Sequence, residues 1–121
     1  MLDERGASIV EFALIVPIFL MILMGLVQFG RAYNVQISLT GAAREGARDL
    51  ALGKTDAVVQ TSTLNAAPGV CGSGCTVTFD RRCPNTAGAK LTVSKSVNFS
   101  FGTFLPFNRT LSGSATMRCS L

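Results

Sequence analysis

Three spacings of apolar residues divide the chain. Between positions 9 and 29 apolar side chains follow one another almost without a break, and residues 12–27 carry no charge. A bilayer-crossing helix needs roughly 20 such residues, which this run approaches. From 31 to 52 there is no proline, and apolar or small residues return at Val35, Leu39, Ala42, Gly46 and Leu50, the three-to-four spacing of one helical face. The two stretches predict one continuous helix over residues 7–52, about 69 Å long at ~1.5 Å per residue. Pro17 removes a backbone donor inside it, and Gly25, Gly30 and Gly41 loosen it further. Gly53 is a plausible stop, and Thr55 or Asp56 a cap for a short second helix over residues 56–66.

Residues 65–74, NAAPGVCGSG, are rich in turn formers and read as a loop. Beyond them the period falls to two. Cys75, Val77, Phe79, Arg81 and Cys83 share one face of a first strand. Leu91, Val93, Lys95, Val97, Phe99 and Phe101 share one face of a second, against Thr92, Ser94, Ser96, Asn98 and Ser100. Leu111, Gly113, Ala115, Met117 and Cys119 do so in a third, against Ser112, Ser114, Thr116 and Arg118. Clean alternation means one face covered and one wet, as in an antiparallel sheet. The long helix is the obvious cover. The fold class is therefore α+β: a long N-terminal transmembrane helix packed on a small antiparallel three-stranded sheet.

With 121 residues, 48% of them hydrophobic, the chain has room for one span and one small head. Much of the apolar content lies in the span, so the head buries only a modest core. All four cysteines, Cys71, Cys75, Cys83 and Cys119, fall in the head. An even number in so small a unit indicates disulfides and an oxidising compartment. A Cys-only zinc site is the alternative, but there is no C-x-x-C pair and no histidine, so no metal or other cofactor is expected. Alternation puts Cys83 and Cys119 on one face at one sheet edge, and Gly-Ser-Gly between Cys71 and Cys75 is flexible enough for a tight ring. Of the three possible pairings these reasons favour Cys83–Cys119 with Cys71–Cys75. Strands flanking a central one stand about 9.5 Å apart, beyond the ~7 Å a disulfide spans, so the pairing requires the chain to curl in or the strand order to differ.

One acid, Glu11, sits just inside the front of the apolar run. Burying a carboxylate in lipid costs roughly 2.5–3.5 kcal/mol or more, so it calls for a partner. Gly6-Ala7 precede it, making Glu11 the fifth residue counted from Ala7. The string over residues 5–51, RGASIVEFALIVPIFLMILMGLVQFGRAYNVQISLTGAAREGARDLA, resembles the TadE-like proteins of tight-adherence pilus assembly, whose pattern runs approximately RG, VEFAL, P, G, FGR, AAREGAR. The resemblance covers about the first 50 residues, and Met117-Arg118 also resembles the family's C-terminal end. It implies a pilin-like bacterial envelope protein, cut by a prepilin peptidase between Gly6 and Ala7. Glu11 would then neutralise the terminal amine of a neighbouring subunit. The domains expected are a leader (1–6), a transmembrane helix (7–30), its extension (31–53) and a disulfide-bonded head (54–121). Pro17 and the small residues Gly41, Ala42, Ala43 and Gly46 are the helix-packing candidates. Gly and Ala let another backbone approach closely, either the chain's own head or, as the family leans, another subunit. The leader MLDERG departs from the pattern, because Asp3 and Glu4 accompany its single Arg5.

Orientation sets two rules against each other. Positive residues beside a span favour the cytoplasm, and only Arg5 precedes it while Arg31, Arg44, Arg48 and Lys54 follow. Glu45 and Asp49 offset two of these, and the cysteines and the pilin resemblance both require the head outside, which is the reading adopted. From Lys54 onward seven basic residues stand against Asp56 and Asp80. They are dispersed without interleaved aromatics, so a solvated face is expected and nucleic acid is not. Glycines in CGSGC suit a turn better than a phosphate cradle, and the two N-x-S/T sites are coincidences in a bacterial chain. Phe104, Leu105 and Phe107 around Pro106 form either a tip that meets a partner or a lid over the core. No nucleophile-and-base constellation is present, so catalysis is not expected. The leading expectation is a minor pilin or pseudopilin of a tight-adherence pilus or related secretion apparatus, in homo- or hetero-oligomers with other pilin-type subunits and the assembly machinery. The runner-up is a single-pass envelope anchor that scaffolds that machinery without polymerising.

Overall fold

The computed structural model describes residues 2–72, 74–101 and 105–119. Its elements are α1 (Leu2–Ala51), α2 (Asp56–Asn65), α3 (Pro68–Cys71), β1 (Thr76–Arg81), β2 (Ala89–Phe101) and β3 (Leu105–Met117). The long helix runs without interruption through Pro17 and comprises 50 residues, about 75 Å at the usual rise. It ends where Gly53 adopts φ 77°. There the Gly53 N–H bonds the Leu50 carbonyl at 3.1 Å and the Lys54 N–H bonds that of Asp49 at 3.2 Å. This pair of bonds is a Schellman closure, and glycine takes its left-handed position without the steric cost of a Cβ. Thr55, not Asp56, is the N-cap of α2. The segment expected as open loop contains α3, a single turn started by Pro68 at its first positions, where a missing N–H costs nothing.

The strands form an antiparallel meander in the order β1-β2-β3. The third strand begins six residues earlier than its alternation predicts, since Leu105–Thr110 pair with Ser96–Phe101. Pro106 stands opposite Ser100, and an edge strand tolerates its lost donor. Gly102, Thr103 and Phe104, with the side chains of Leu105 and Phe107, lie outside the described residues, and with them the tip-or-lid question. A register shift between Phe79 and Arg81 makes Asp80 a bulge, whose carboxylate accepts from the Thr92 hydroxyl at 2.5 Å.

One sheet face is covered and the other is wet. Leu91 and Val93 are fully buried, Val97 and Phe99 nearly so, and Val77, Phe79, Leu111, Ala115 and Met117 are partly covered. Ser96, Asn98, Ser112, Ser114 and Thr116 are exposed. The cover is the upper part of α1, through Leu39, Ala42, Ala43, Ala47 and Leu50, with Val59 and Thr63 of α2 closing the side. Asp49 ties the two helices together. Its buried carboxylate accepts from Lys54 Nζ at 2.7 Å and Ser62 Oγ at 2.6 Å. The hydrogen bond from Lys54, then that from Ser62, holds its pKa below the ordinary carboxylate value against the opposing effect of burial. Arg82 reaches back from the end of β1 to form a two-pronged pair with Asp56, and its guanidinium stacks 4.9 Å over the Phe79 ring.

Helix and sheet approach closely at Gly113. A Cβ there would lie 2.6 Å from the Thr40 backbone nitrogen and 2.7 Å from the Leu39 carbonyl carbon. Neither is a flexible chain end that can swing away. Gly113→Val is therefore expected to destabilise the head by about 1–3 kcal/mol or more, the cost of overpacking a filled core. Chemical denaturation of the full chain in detergent, followed by far-ultraviolet circular dichroism, measures this. Ser112→Val, one residue away on the wet face, is the comparison and should change stability little.

Candidate functional site

The apolar lower part of α1 is largely exposed. Phe12, Leu14, Ile18, Val27 and Phe29 are between 63% and 71% exposed, and none of the most apolar stretch is buried within the structure. Covering an aliphatic or aromatic side chain rather than wetting it contributes about 1.5–3 kcal/mol. A run of this length left in water would therefore forgo on the order of tens of kcal/mol. Lipid or other apolar helices must cover it, and the helix is long and apolar enough to cross a membrane. Phe29 and Tyr33 stack at its upper end, ring centroids 6.5 Å apart. Aromatic rings of this kind collect at membrane–water interfaces.

Gly6, Ala7 and Glu11 all lie on exposed helical surface near the start of α1. Apart from its chain neighbours and its own helix backbone, no described heavy atom lies within 4 Å of where a Cβ on Gly6 would stand. One turn above Ala7 the Glu11 carboxylate projects from the same helix that carries the apolar run. A protease that binds extended backbone must unwind the first turns of α1 to reach the Gly6-Ala7 bond. Terminal turns fray readily, because their first N–H groups have no partner within the helix.

The helix-packing candidates divide. Ala42, Ala43 and Gly46 are buried, and they face the head of their own chain. A Cβ on Gly46 would meet the Thr63 hydroxyl and stand 3.1 Å from Leu91 Cδ1. Within the chain, the sheet and α2 occupy this small-residue face. Gly41 points away, with open space around it, and Pro17 sits in the exposed apolar stretch. Sequence reasoning missed Asp49, Thr63 and Gly113 as the residues that seat the head on the helix. A charged residue beside Leu50 and Ala51 was the available signal for Asp49.

Disulfides join Cys71 to Cys75 and Cys83 to Cys119, with Cα separations of 5.0 and 5.8 Å. The strand-spacing objection is met by position. Cys83 lies two residues past the end of β1 and Cys119 two past the end of β3, so both segments curl inward below the start of the central strand. Asn85 helps by accepting the Ala87 N–H at 2.9 Å, the side-chain-closed turn typical of asparagine.

Comparison with curated proteins and with solved structures gives no match. A comparison with protein families does: residues 6–48 match the family described as TadE-like protein. The matched segment begins at the glycine before Ala7, includes Glu11 and the exposed apolar run, and ends on the face that seats the head. That likeness suggests a role in tight-adherence pilus assembly. Through its long helix, then, this chain is similar to the TadE-like family over residues 6–48.

Proposed function

We propose that this protein is a pilin-like component, a minor pilin or pseudopilin, of a tight-adherence pilus or related secretion apparatus. Its apolar helix stands in the bacterial inner membrane and its head outside the cytoplasm, with any polymerised fraction carried into an extracellular pilus. The observation that carries this reading is an apolar helical stretch none of which is buried in the structure, with the acid Glu11 at its front edge, fifth after Gly6. Prepilin peptidase cuts the Gly6-Ala7 bond, and the new amine of one subunit meets the Glu11 carboxylate of the next. A charge-assisted hydrogen bond of that kind is about twice as strong as a neutral one, and each charge removes the other's cost in lipid. Two disulfides support an oxidising location for the head. The role is structural rather than catalytic.

A second reading, a single-pass anchor that scaffolds the machinery without polymerising, is favoured by one observation. The small residues Ala42, Ala43 and Gly46 are spent within the subunit and leave a neighbour less surface for close helix contact. Mass spectrometry of the N-terminus of native protein, with a search for it in sheared surface fibres, decides between them. An Ala7 N-terminus in fibres is the expected result, and Gly6→Leu should abolish the cut because the scissile backbone no longer fits a close-approach site. An intact Met1 or Leu2 overturns the processing step. Cleaved protein absent from fibres replaces the pilin reading with the anchor.

A further inference from the structure

At the junction of helix and head lies an open groove of about 640 Å³. Arg31, Asn34 and Ser38 of α1 form one wall, and β2 from Lys95 to Asn98 forms the other, with the α2–α3 corner between them. The groove exists because β1 is short. Its pairing with β2 begins at Thr76 opposite Ser94, so from Lys95 onward the central strand presents an edge to the groove. Lys95 enters from the helix-facing side and donates to the Val70 carbonyl, which places its ammonium in the wall. Arg31 is exposed and forms no ion pair among the described residues. The Ser38 hydroxyl donates to Asn34 Oδ1 at 3.5 Å, which leaves the Asn34 amide N–H groups and the two cations on one concavity, a donor set that recognises a phosphate oxygen.

Position supplies the second half of the argument. The apolar run ends at Val27, and the Phe29–Tyr33 pair marks the interface. Arg31 lies between those two rings in sequence, and Ser38 stands about 10 Å higher on the same helix. The polar layer outside the hydrocarbon core is itself about 5–7 Å deep on each side. The lower mouth of the groove therefore opens at headgroup depth and its upper end in water.

The geometry points to a headgroup cradle: the groove binds the phosphate of an anionic glycerophospholipid, whose acyl chains continue down the exposed side of α1. The inference rests on the reading that α1 spans a membrane. It assigns a ligand to the junction and makes the head's seat on the bilayer dependent on lipid charge. A cation near an anionic surface favours binding by about fivefold, so Arg31 and Lys95 together give a preference well above that for a single charge.

The test is native mass spectrometry of the full chain in detergent, titrated with phosphatidylglycerol or phosphatidylcholine of matched acyl chains. Wild type is expected to retain one phosphatidylglycerol in clear preference to phosphatidylcholine. Arg31→Gln should weaken that retention about fivefold, Arg31→Lys should keep most of it, and Lys90→Gln, on the open face of the sheet, should change nothing. Equal retention of both lipids, or an unaffected Arg31→Gln, overturns the cradle. Inorganic phosphate that binds lipid-free protein with the same dependence on Arg31 makes the site one for free anions and overturns the lipid assignment. Carbonate extraction of membranes separates the two levels. Chain released by carbonate overturns the spanning reading and the cradle together, whereas retained chain without headgroup preference overturns the cradle alone.

Discussion

Glu11→Leu is expected to leave the protein in the membrane and remove it from the assembled structure. The substitution takes a carboxylate out of lipid, where it costs roughly 2.5–3.5 kcal/mol at the centre of a span and less toward the interface, so insertion stays level or improves. The site is fully on the outside of α1 and far from the core, so the head keeps its stability. On the proposed pairing, what disappears is the partner of a neighbour's terminal amine, left unpaired where unpaired charge is most costly. Membrane fractions after carbonate washing and the protein content of sheared fibres read the two effects separately. Glu11→Gln keeps size and polarity but not charge, and should fail as Glu11→Leu does. Normal incorporation of Glu11→Leu would refute charge pairing and leave the simple anchor.

The largest effect on the head should come from the longer disulfide. Cys83 and Cys119 are 36 residues apart in sequence, against 4 for Cys71 and Cys75. In the chain-entropy model the longer loop contributes about 3–4 kcal/mol and the shorter about 2 kcal/mol. The core gives little reserve, since alanines supply much of it and, among the described residues, its largest wholly buried side chains are Leu39 and Leu91. The double variant Cys83→Ser with Cys119→Ser should lower the thermal midpoint by roughly 15–30 °C for a domain of this size. The pair Cys71→Ser with Cys75→Ser should lower it by about half as much. Thermal scans with and without reductant provide the check, and equal losses from the two pairs would contradict the loop-length account.

Much of this architecture could be read from spacing alone. The helix, its end at Gly53, the second helix and all three strands follow from local period and local breakers, which neighbouring residues fix by themselves. What escaped reading depended on residues distant in sequence. The early start of β3 is concealed by Pro106 and the polar pair Asn108-Arg109, which look like a turn until Ser96–Phe101 of β2 are set beside them. The turn α3 hides among glycines, and it is Cys71, buried and bridged to Cys75, that pins it. The destination of Ala42, Ala43 and Gly46 is equally invisible in one chain. Small residues permit close approach without naming what approaches, and here Leu91 and Thr63 arrive first. The candidate site was the most legible part because it depends least on tertiary structure: a glycine, an acid and an unbroken apolar run all act through the one helix that contains them.

That single helix has a further consequence. No linker separates the membrane part of α1 from the part that forms the wall of the core, so the head cannot swivel independently of its anchor. Each residue of a helix advances about 100° around the axis. The compass bearing of the sheet relative to Glu11 is therefore stored as a number of residues between Glu11 and Leu39, like the phase between two cams on one shaft. A one-residue insertion near Asn34 would preserve the apolar run below it and the core above Leu39, but it would turn Arg31 out of the groove, aim the head about 100° away from its former bearing and set it ~1.5 Å higher. In an assembly whose subunits meet at both levels, integrity of the parts would then coexist with failure of the whole.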